Sequence, residues 1–253
     1  MVPFSAPVVS SYAMTPLAAA RSELAPTGKL RVGINYGNFL LVTRHSEGQY
    51  TGIAVDLGSE LGRRLGVPID LVPFATAGKL ADAVKAGAWD VAFLGNEPQR
   101  ANVIAFSPAY LEIEATYLVP AGSAIRTIAD VDKKGVRIAT AVNSAYDLYL
   151  SRSLKQATLV RVEGIQGSYD IFVKDKLEVL SGLKPRLMTD AKALPGSRVL
   201  DGRFTAVQQS VGAPQGRPAA ANYLSEFAKD IKTSGFVAQA IARHAVPGVS
   251  VAP

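Results

Sequence analysis

The residue best placed to do chemistry is Arg100, at the end of Asp90-Val-Ala-Phe-Leu-Gly-Asn-Glu-Pro-Gln-Arg100, which runs on to Phe106-Ser-Pro-Ala-Tyr110. The apolar run 91–94 suits a strand covered on both faces, as in a parallel sheet. Gly95-Asn96 stops that strand, and Pro98 fits the first turn of whatever follows. Arg100 therefore falls just beyond the carboxyl end of a strand, where open α/β sheets bind their ligands. A guanidinium is a lasting cation with a planar fork, suited to gripping a carboxylate through two hydrogen bonds.

Other chemistries find less material. There is no cysteine, which excludes disulfides, thiolate metal sites and a cysteine nucleophile. The two histidines, His45 and His244, are too few for a histidine-rich metal site, and they fall in a surface loop and at a helix end. The net charge of +6 is diffuse, with Arg63-Arg64 and Lys133-Lys134 as its densest runs. That is unlike the basic stripe with interleaved aromatics of a nucleic-acid surface. Glu97, Asp147 and Glu163 could serve as general acids only with a carboxyl raised by burial, and no pattern singles one out.

The surrounding pattern supplies the elements that must position Arg100. Residues 29–34 read as a strand with a loop, Asn35-Tyr36-Gly37-Asn38, at its carboxyl end. A turn or short hairpin over 47–52 precedes a helix, on which Ala54, Leu57, Leu61 and Leu65 share a face and Gly66 is the C-cap. A strand from Pro68, a helix over 78–85 and the strand at 91–94 complete a β-α-β-α-β order, which predicts right-handed crossovers and a parallel sheet. The loops after residues 34, 72 and 94 should then share one rim. A second unit follows, with strands at 136–141, 158–162 and 177–180 and a helix capped by Asn143-Ser144. Residues 204–211 form a returning strand, in which strand alternation turns either Gln208 or Gln209 to the cleft; Gln208 is taken as the candidate. Trp89, Phe93, Phe106 and Phe227 are expected in the core, and Tyr36 and Tyr146 at the rim.

Five phrases in this order resemble the family 3 solute-binding proteins, the amino-acid-type periplasmic binding proteins of ABC importers. They are Gly28-Lys-Leu-Arg-Val-Gly-Ile34, Gly52-Ile-Ala-Val-Asp-Leu57 with Leu65-Gly66, Lys85-Ala-Gly-Ala-Trp-Asp90, Arg100 with its following Phe106-Ser-Pro-Ala-Tyr110, and Gly135-Val-Arg-Ile-Ala139. The resemblance spans about residues 28–245. It implies a two-lobed α/β fold of type II, with two crossover strands as a hinge and a cleft that closes on a small solute. The expected division is a flexible segment 1–27, a first lobe of 28–115 with 208–253, and a second lobe of 116–207.

The same resemblance places Arg100 where the family holds a ligand carboxylate. Gly95 and Asn96 stand in a loop two residues shorter than usual, so backbone N–H groups and Asn96 would replace the family's hydroxyls. Asn143-Ser144-Ala145 matches a second carboxylate-binding turn, resting on the positive end of a helix. Two departures count against an ordinary α-amino acid. Leu183 stands where the family has the aspartate that pairs with the amino group, and an unpaired ammonium in a closed cleft is costly. Asn38, between Tyr36 and Phe39, occupies the place of the stacking aromatic. The expected ligand is a small carboxylate without that ammonium, with Lys184 or Lys79 available for a second polar end.

Two alternatives stay open: a dehydratase-like enzyme of the cyclohexadienyl dehydratase type on the same fold, and a cytosolic carrier or sensor. No metal or organic cofactor is implied, and the expected state is a monomer that neither binds nucleic acid nor inserts into a membrane. An ABC permease is a partner if the protein is exported. The resemblance points to the periplasm. Residues 1–20, however, place no Lys or Arg before the apolar part and interrupt it with Pro3, Pro7, Ser10 and Ser11, so a working signal peptide is not expected and the cytoplasm remains an option.

Overall fold

Along the strand that precedes Arg100, side chains alternate between two cores. Val91 and Phe93 enter one apolar cluster, Ala92 and Leu94 the other. This is the period-two signature of a strand sandwiched between layers. The computed structural model describes residues 14–46 and 48–253. In chain order its first elements are α1 (Pro16–Leu24), β1 (Leu30–Asn35), the hairpin β2 (Thr43–Arg44) and β3 (Tyr50–Thr51), α2 (Ile53–Leu65), β4 (Ile69–Phe74), α3 (Ala77–Asp82), β5 (Val91–Gly95), α4 (Pro98–Ala101), β6 (Ile104–Phe106) and β7 (Leu111–Val119). There follow β8 (Arg137–Ala141), α5 (Ala145–Ser153), β9 (Thr158–Val162), α6 (Gly164–Lys174), β10 (Val179–Leu183), α7 (Lys184–Ala193), β11 (Arg198–Val199), β12 (Thr205–Pro214), α8 (Pro218–Thr233), α9 (Phe236–Arg243) and β13 (Val249–Val251).

One sheet runs through the molecule in the order β4-β1-β5-β12-β7-β10-β8-β9. Its first end is parallel (β4, β1, β5), and so is its far end (β10, β8, β9). The two antiparallel strands between them, β7 and β12, carry the chain from one lobe to the other and back. On one edge β7 pairs with β12 and then β11; on the other it pairs with β13 and then β10. Each edge thus passes from first-lobe to second-lobe partners partway along a single strand. The expected boundaries, 115/116 and 207/208, fall inside β7 and β12.

In the first lobe, α2, α8 and α9 bury Leu57, Leu61, Leu224, Phe227 and Val237 against one face of the sheet, while Leu80, Val84 and Trp89 cover the other. The Trp89 indole donates to the Leu80 carbonyl at 2.9 Å, which satisfies its polar end inside the core. In the second lobe the same division recurs, with Ile138 and Val179 facing one cluster and Ala139 and Leu180 the other. Gly66 ends α2 at φ 66, a left-handed position that suits glycine.

The first 27 residues correct the expectation of a flexible segment where they are described. Thr15 caps α1, and Pro16 opens it. Ala20 and Leu24 are fully buried, and the Glu23 carboxylate accepts the Ala220 N–H at the start of α8, at 2.8 Å. Of residues 1–20, where no working signal peptide is expected, those before Met14 lie outside the described residues. No helix among the described residues is long and apolar enough to cross a membrane.

Candidate functional site

The carboxyl ends of β1, β4 and β5 face the start of α5 and the ends of β8 and β10 across a cavity of about 700 Å³, counting its part open to solvent. The lobes are in contact around it. Arg100 lies on α4, and α4 begins at Pro98, whose missing N–H costs nothing at a helix start. From there Arg100, a residue only 5% exposed, donates Nη1 to the Gly95 carbonyl at 2.7 Å and Nη2 to the Asn143 carbonyl at 2.8 Å. A guanidinium has five N–H donors, so the others are left for a ligand. No carboxylate among the described residues pairs with it. Arg100 is also the only charged side chain lining the cavity among the described residues. Burial lowers its pKa to about 10, with the charges of Glu97 and Asp82 acting in the opposite direction.

The opposite wall is built by the turn into α5. Asn143 takes φ 57, a left-handed conformation that asparagine tolerates. The Ser144 hydroxyl accepts the Asp147 N–H at 3.1 Å, and the Asp147 carboxylate accepts the Asn143 N–H at 2.9 Å. Arg161 holds the other Asp147 oxygen at 2.9 Å. This reciprocal arrangement fixes the turn and leaves the first N–H groups of α5, those of Ala145 and Tyr146, without intrahelical acceptors. Arg100 and Ala145 are close: a Cβ added to Gly95 would lie 2.9 Å from Ala145 Cβ and 3.4 Å from Arg100 Nη1. A cation and a helix N-terminus thus converge on one corner, the arrangement that suits an anion.

The rest of the wall is apolar. Leu41, Val42, Phe93, Ile165, Leu183 and Val207 line it, with Asn35, Asn38, Thr76 and Gln209 as its neutral polar members. Of the residues expected from sequence, Arg100, Gly95, Asn38, Ser144, Ala145 and Tyr146 come together here. The others do not. Tyr36 turns outward, its ring 6.0 Å from Tyr50 and under the Arg44 guanidinium at 5.2 Å. Asn96 is exposed, and only its backbone N–H is engaged, donating to the Gln208 carbonyl at 2.8 Å. Asn143 contributes its carbonyl to Arg100, while its side chain packs toward Gly78. Lys184 is held by Glu114 at 2.7 Å, on the hinge side. Gln208 points to Glu112 at 2.9 Å, and strand alternation puts Gln209 into the cavity instead. Gln209 is paired with Gly95 across the sheet, a register that the sequence does not print. Phe93, expected in the core, both packs edge-on against Tyr110 and lines the cavity. The rim after β4, expected from the strand order, supplies Ala75, Thr76 and Ala77.

None of the three candidate acids lines the cavity. Glu97 is buried and bonded to Arg152 across the lobes at 2.6 Å; burial raises its carboxyl, and the Arg152 bond opposes this. Asp147 serves the α5 turn. Glu163 pairs with Lys79 on the exposed rim, again between lobes.

The chain belongs to the bacterial extracellular solute-binding proteins, family 3, whose sequence model matches residues 30–246. Among curated proteins, none matches it. Among solved structures, the solute receptor for L-cysteine of Neisseria gonorrhoeae superposes with a TM-score of 0.76 at 18% identity, over 92% of this chain and 94% of that one. The cysteine-binding protein from Campylobacter jejuni gives 0.74 at 15% identity, over 89% and 92%. An ancestral amino acid-binding protein, a precursor of cyclohexadienyl dehydratase, gives 0.73 at 23% identity, over 88% and 97%. At these identities the likeness is one of fold: the type II two-lobed architecture.

Proposed function

We propose that the protein binds a small carboxylate with an apolar body in the cleft between its lobes, as the solute-binding component of an ABC importer. One observation carries the reading. Among the described residues, Arg100 is a buried cation with free donors and no acid paired with it, in a cavity whose remaining wall holds no charge. A buried charge is tolerated when something pairs with it, and a ligand carboxylate is the matching group. The N–H groups that begin α5 would share that carboxylate. Leu183 at the end of β10 leaves an α-ammonium without a counter-charge, so the reading favours acids that lack one. The amino-acid binders of like fold make α-amino acids the rival class. A dehydratase-like activity would need a general acid facing the ligand, and Glu97, Asp147 and Glu163 are engaged elsewhere.

A thermal-shift screen of wild type and Arg100→Ala against amino, oxo, hydroxy and plain carboxylic acids tests this. A ligand bound only by the folded protein raises its melting temperature. The reading requires a carboxylate hit that is lost in Arg100→Ala and recovered chemically unchanged. α-Amino acids as the strongest hits would refute the part that rests on Leu183, and turnover of a hit would make the protein an enzyme.

A further inference from the structure

The polar side chains of the cavity wall differ in what they have left to offer. Asn35 Oδ1 accepts the Gly37 N–H at 3.0 Å and Asn38 Oδ1 the Leu40 N–H at 3.3 Å, so both oxygens hold the loop that follows β1. The Thr76 and Ser144 hydroxyls accept N–H groups in the first turns of α3 and α5. Gln209 is different. Only 4% exposed, it lines the cavity from the middle of β12, where its main-chain carbonyl accepts the Tyr110 N–H at 2.9 Å. Among the described residues its side-chain amide meets neither donor nor acceptor, whereas the amide of Gln208 reaches Glu112. The Gln209 amide is not sealed in protein either. The unpartnered polar atoms that lack open surface are the hydroxyls of Tyr110, Thr140, Tyr146 and Ser210, and neither amide atom of Gln209 is among them. With β5 and β7 in place on its two sides, the open surface left to Gln209 is that of the cavity.

Its place in the sheet sets this amide beside the arginine. Gln209 pairs with Gly95, whose carbonyl accepts Arg100 Nη1. Residues directly opposite on antiparallel strands project to the same face, with Cβ atoms about 4.5–5.5 Å apart. A Cβ on Gly95 would lie 3.4 Å from Arg100 Nη1, so a small molecule held by the guanidinium is within reach of the amide. We propose that the solute carries, besides its carboxylate, a neutral carboxamide, either a primary amide or a lactam, that pairs with Gln209. This rests on the carboxylate reading of the cavity and narrows it. The glutamine side chain offers N–H donors and a carbonyl acceptor on one planar group. Its full complement is a group with N–H and C=O on one edge, which forms two parallel hydrogen bonds with it. A ketone or ether oxygen uses the donor and leaves Oε1 unmet. A second carboxylate does the same and brings a charge that finds no second cation among the described residues of the wall. A plain acid meets neither half of the amide.

The test uses two sets of acids, each sharing a skeleton: 5-oxoproline, tetrahydrofuran-2-carboxylate and cyclopentanecarboxylate, and succinamate, 4-oxopentanoate and pentanoate. Each is titrated calorimetrically into wild type, Gln209→Met and Arg100→Ala. In at least one set the carboxamide acid should bind wild type roughly tenfold more tightly than its ether or ketone counterpart, the value of one net hydrogen bond. In Gln209→Met that preference should vanish. A preference that survives in Gln209→Met, with all members weakened equally, would put the amide on the carboxylate and overturn the proposal. So would parity within both sets in wild type, or failure of both carboxamide acids to bind. α-Amino acids that bind wild type and are lost in Gln209→Met would put an ammonium on Oε1 and overturn it as well. Failure of the underlying reading has another signature: acids that still bind Arg100→Ala. Because the Gln209 amide holds no other part of the protein, Gln209→Met should keep the wild-type melting temperature without ligand, which separates a lost contact from a lost fold.

Discussion

Arg100 and Asn143 stand on opposite sides of the cleft and share one hydrogen bond, guanidinium Nη2 to main-chain carbonyl at 2.8 Å. The group assigned to grip the solute therefore also touches the turn that closes over it. On the proposed reading, ligand binding and lobe closure meet at this one side chain, so changes at Arg100 should be felt in both.

Arg100→Ala removes the charge and the inter-lobe bond together. Truncating one partner of a buried, hydrogen-bonded charge pair costs about 2–5 kcal/mol, which is roughly thirtyfold to several thousandfold in affinity. Arg100→Lys keeps the charge but loses the planar fork and should fall between the two. Titration calorimetry decides; full affinity in the lysine variant would show that point charge suffices.

The pH dependence has a defined sign. Arg100 is shifted down to about 10 from its usual 12.5. Ligand affinity should be flat across neutral pH and fall as pH rises through about 10, where the guanidinium loses its proton. Between those two values the unfolded chain holds the proton and the folded one does not, so this group's contribution to stability rises with pH. Below about 10 the buried cation is a standing cost that a bound carboxylate relieves. The ligand-induced melting shift, followed from pH 7 to 10.5, should shrink at the alkaline end.

Leu183→Asp would place a carboxylate in the cavity wall. Without ligand the variant should melt lower, since a buried acid lacks a partner. α-Amino acids, leucine among them, should then raise its melting temperature more than they raise that of wild type. No gain for amino acids would mean that Leu183 is not what excludes them.

Glu97 and Arg152 should respond unequally. Arg152→Ala strands a buried carboxylate; Glu97→Gln leaves an arginine that water can reach. The first should weaken binding by roughly tenfold or more, the second far less. Because burial holds Glu97 above its ordinary value, protonation favours the closed form, and this contribution fades as pH rises through the raised value. Affinity in Arg152→Ala should therefore recover on acidification toward pH 5, and in Glu97→Gln it should not.

Gly78 tests closure alone. A Cβ there would lie 2.8 Å from Asn143 Cβ across the cleft. Gly78→Leu should prop the lobes apart, lower affinity, and leave a larger radius of gyration by X-ray scattering in the presence of ligand.

What could be read from sequence was local. The run at 91–94, the stop at Gly95 and the Ser144 cap each announce themselves within a few residues, and together they located Arg100 and the helix that faces it. Gln208 and Gln209 could not be separated, because which one faces the cavity depends on the register of β12 against β5. Tyr36 was drawn away by Tyr50 and Arg44, partners brought near only by the hairpin. Lys184 was claimed by Glu114 across the junction of β7 and β10. The α1 helix was not read at all: residues 1–27 were expected to be flexible, and the burial of Ala20 and Leu24 depends on α8, a partner far along the chain.

The helix α1 lies on α8, and β13 lies beside the first-lobe half of β7, so both described ends of the chain, Met14 and Pro253, depart from the same jaw. Immobilising the protein by either end would pin that jaw and leave the other free to swing. The pinned jaw holds Arg100, and the swinging one brings Tyr146 and Leu183. On the proposed reading, a molecule tethered by that jaw should therefore close on its solute as a free one does.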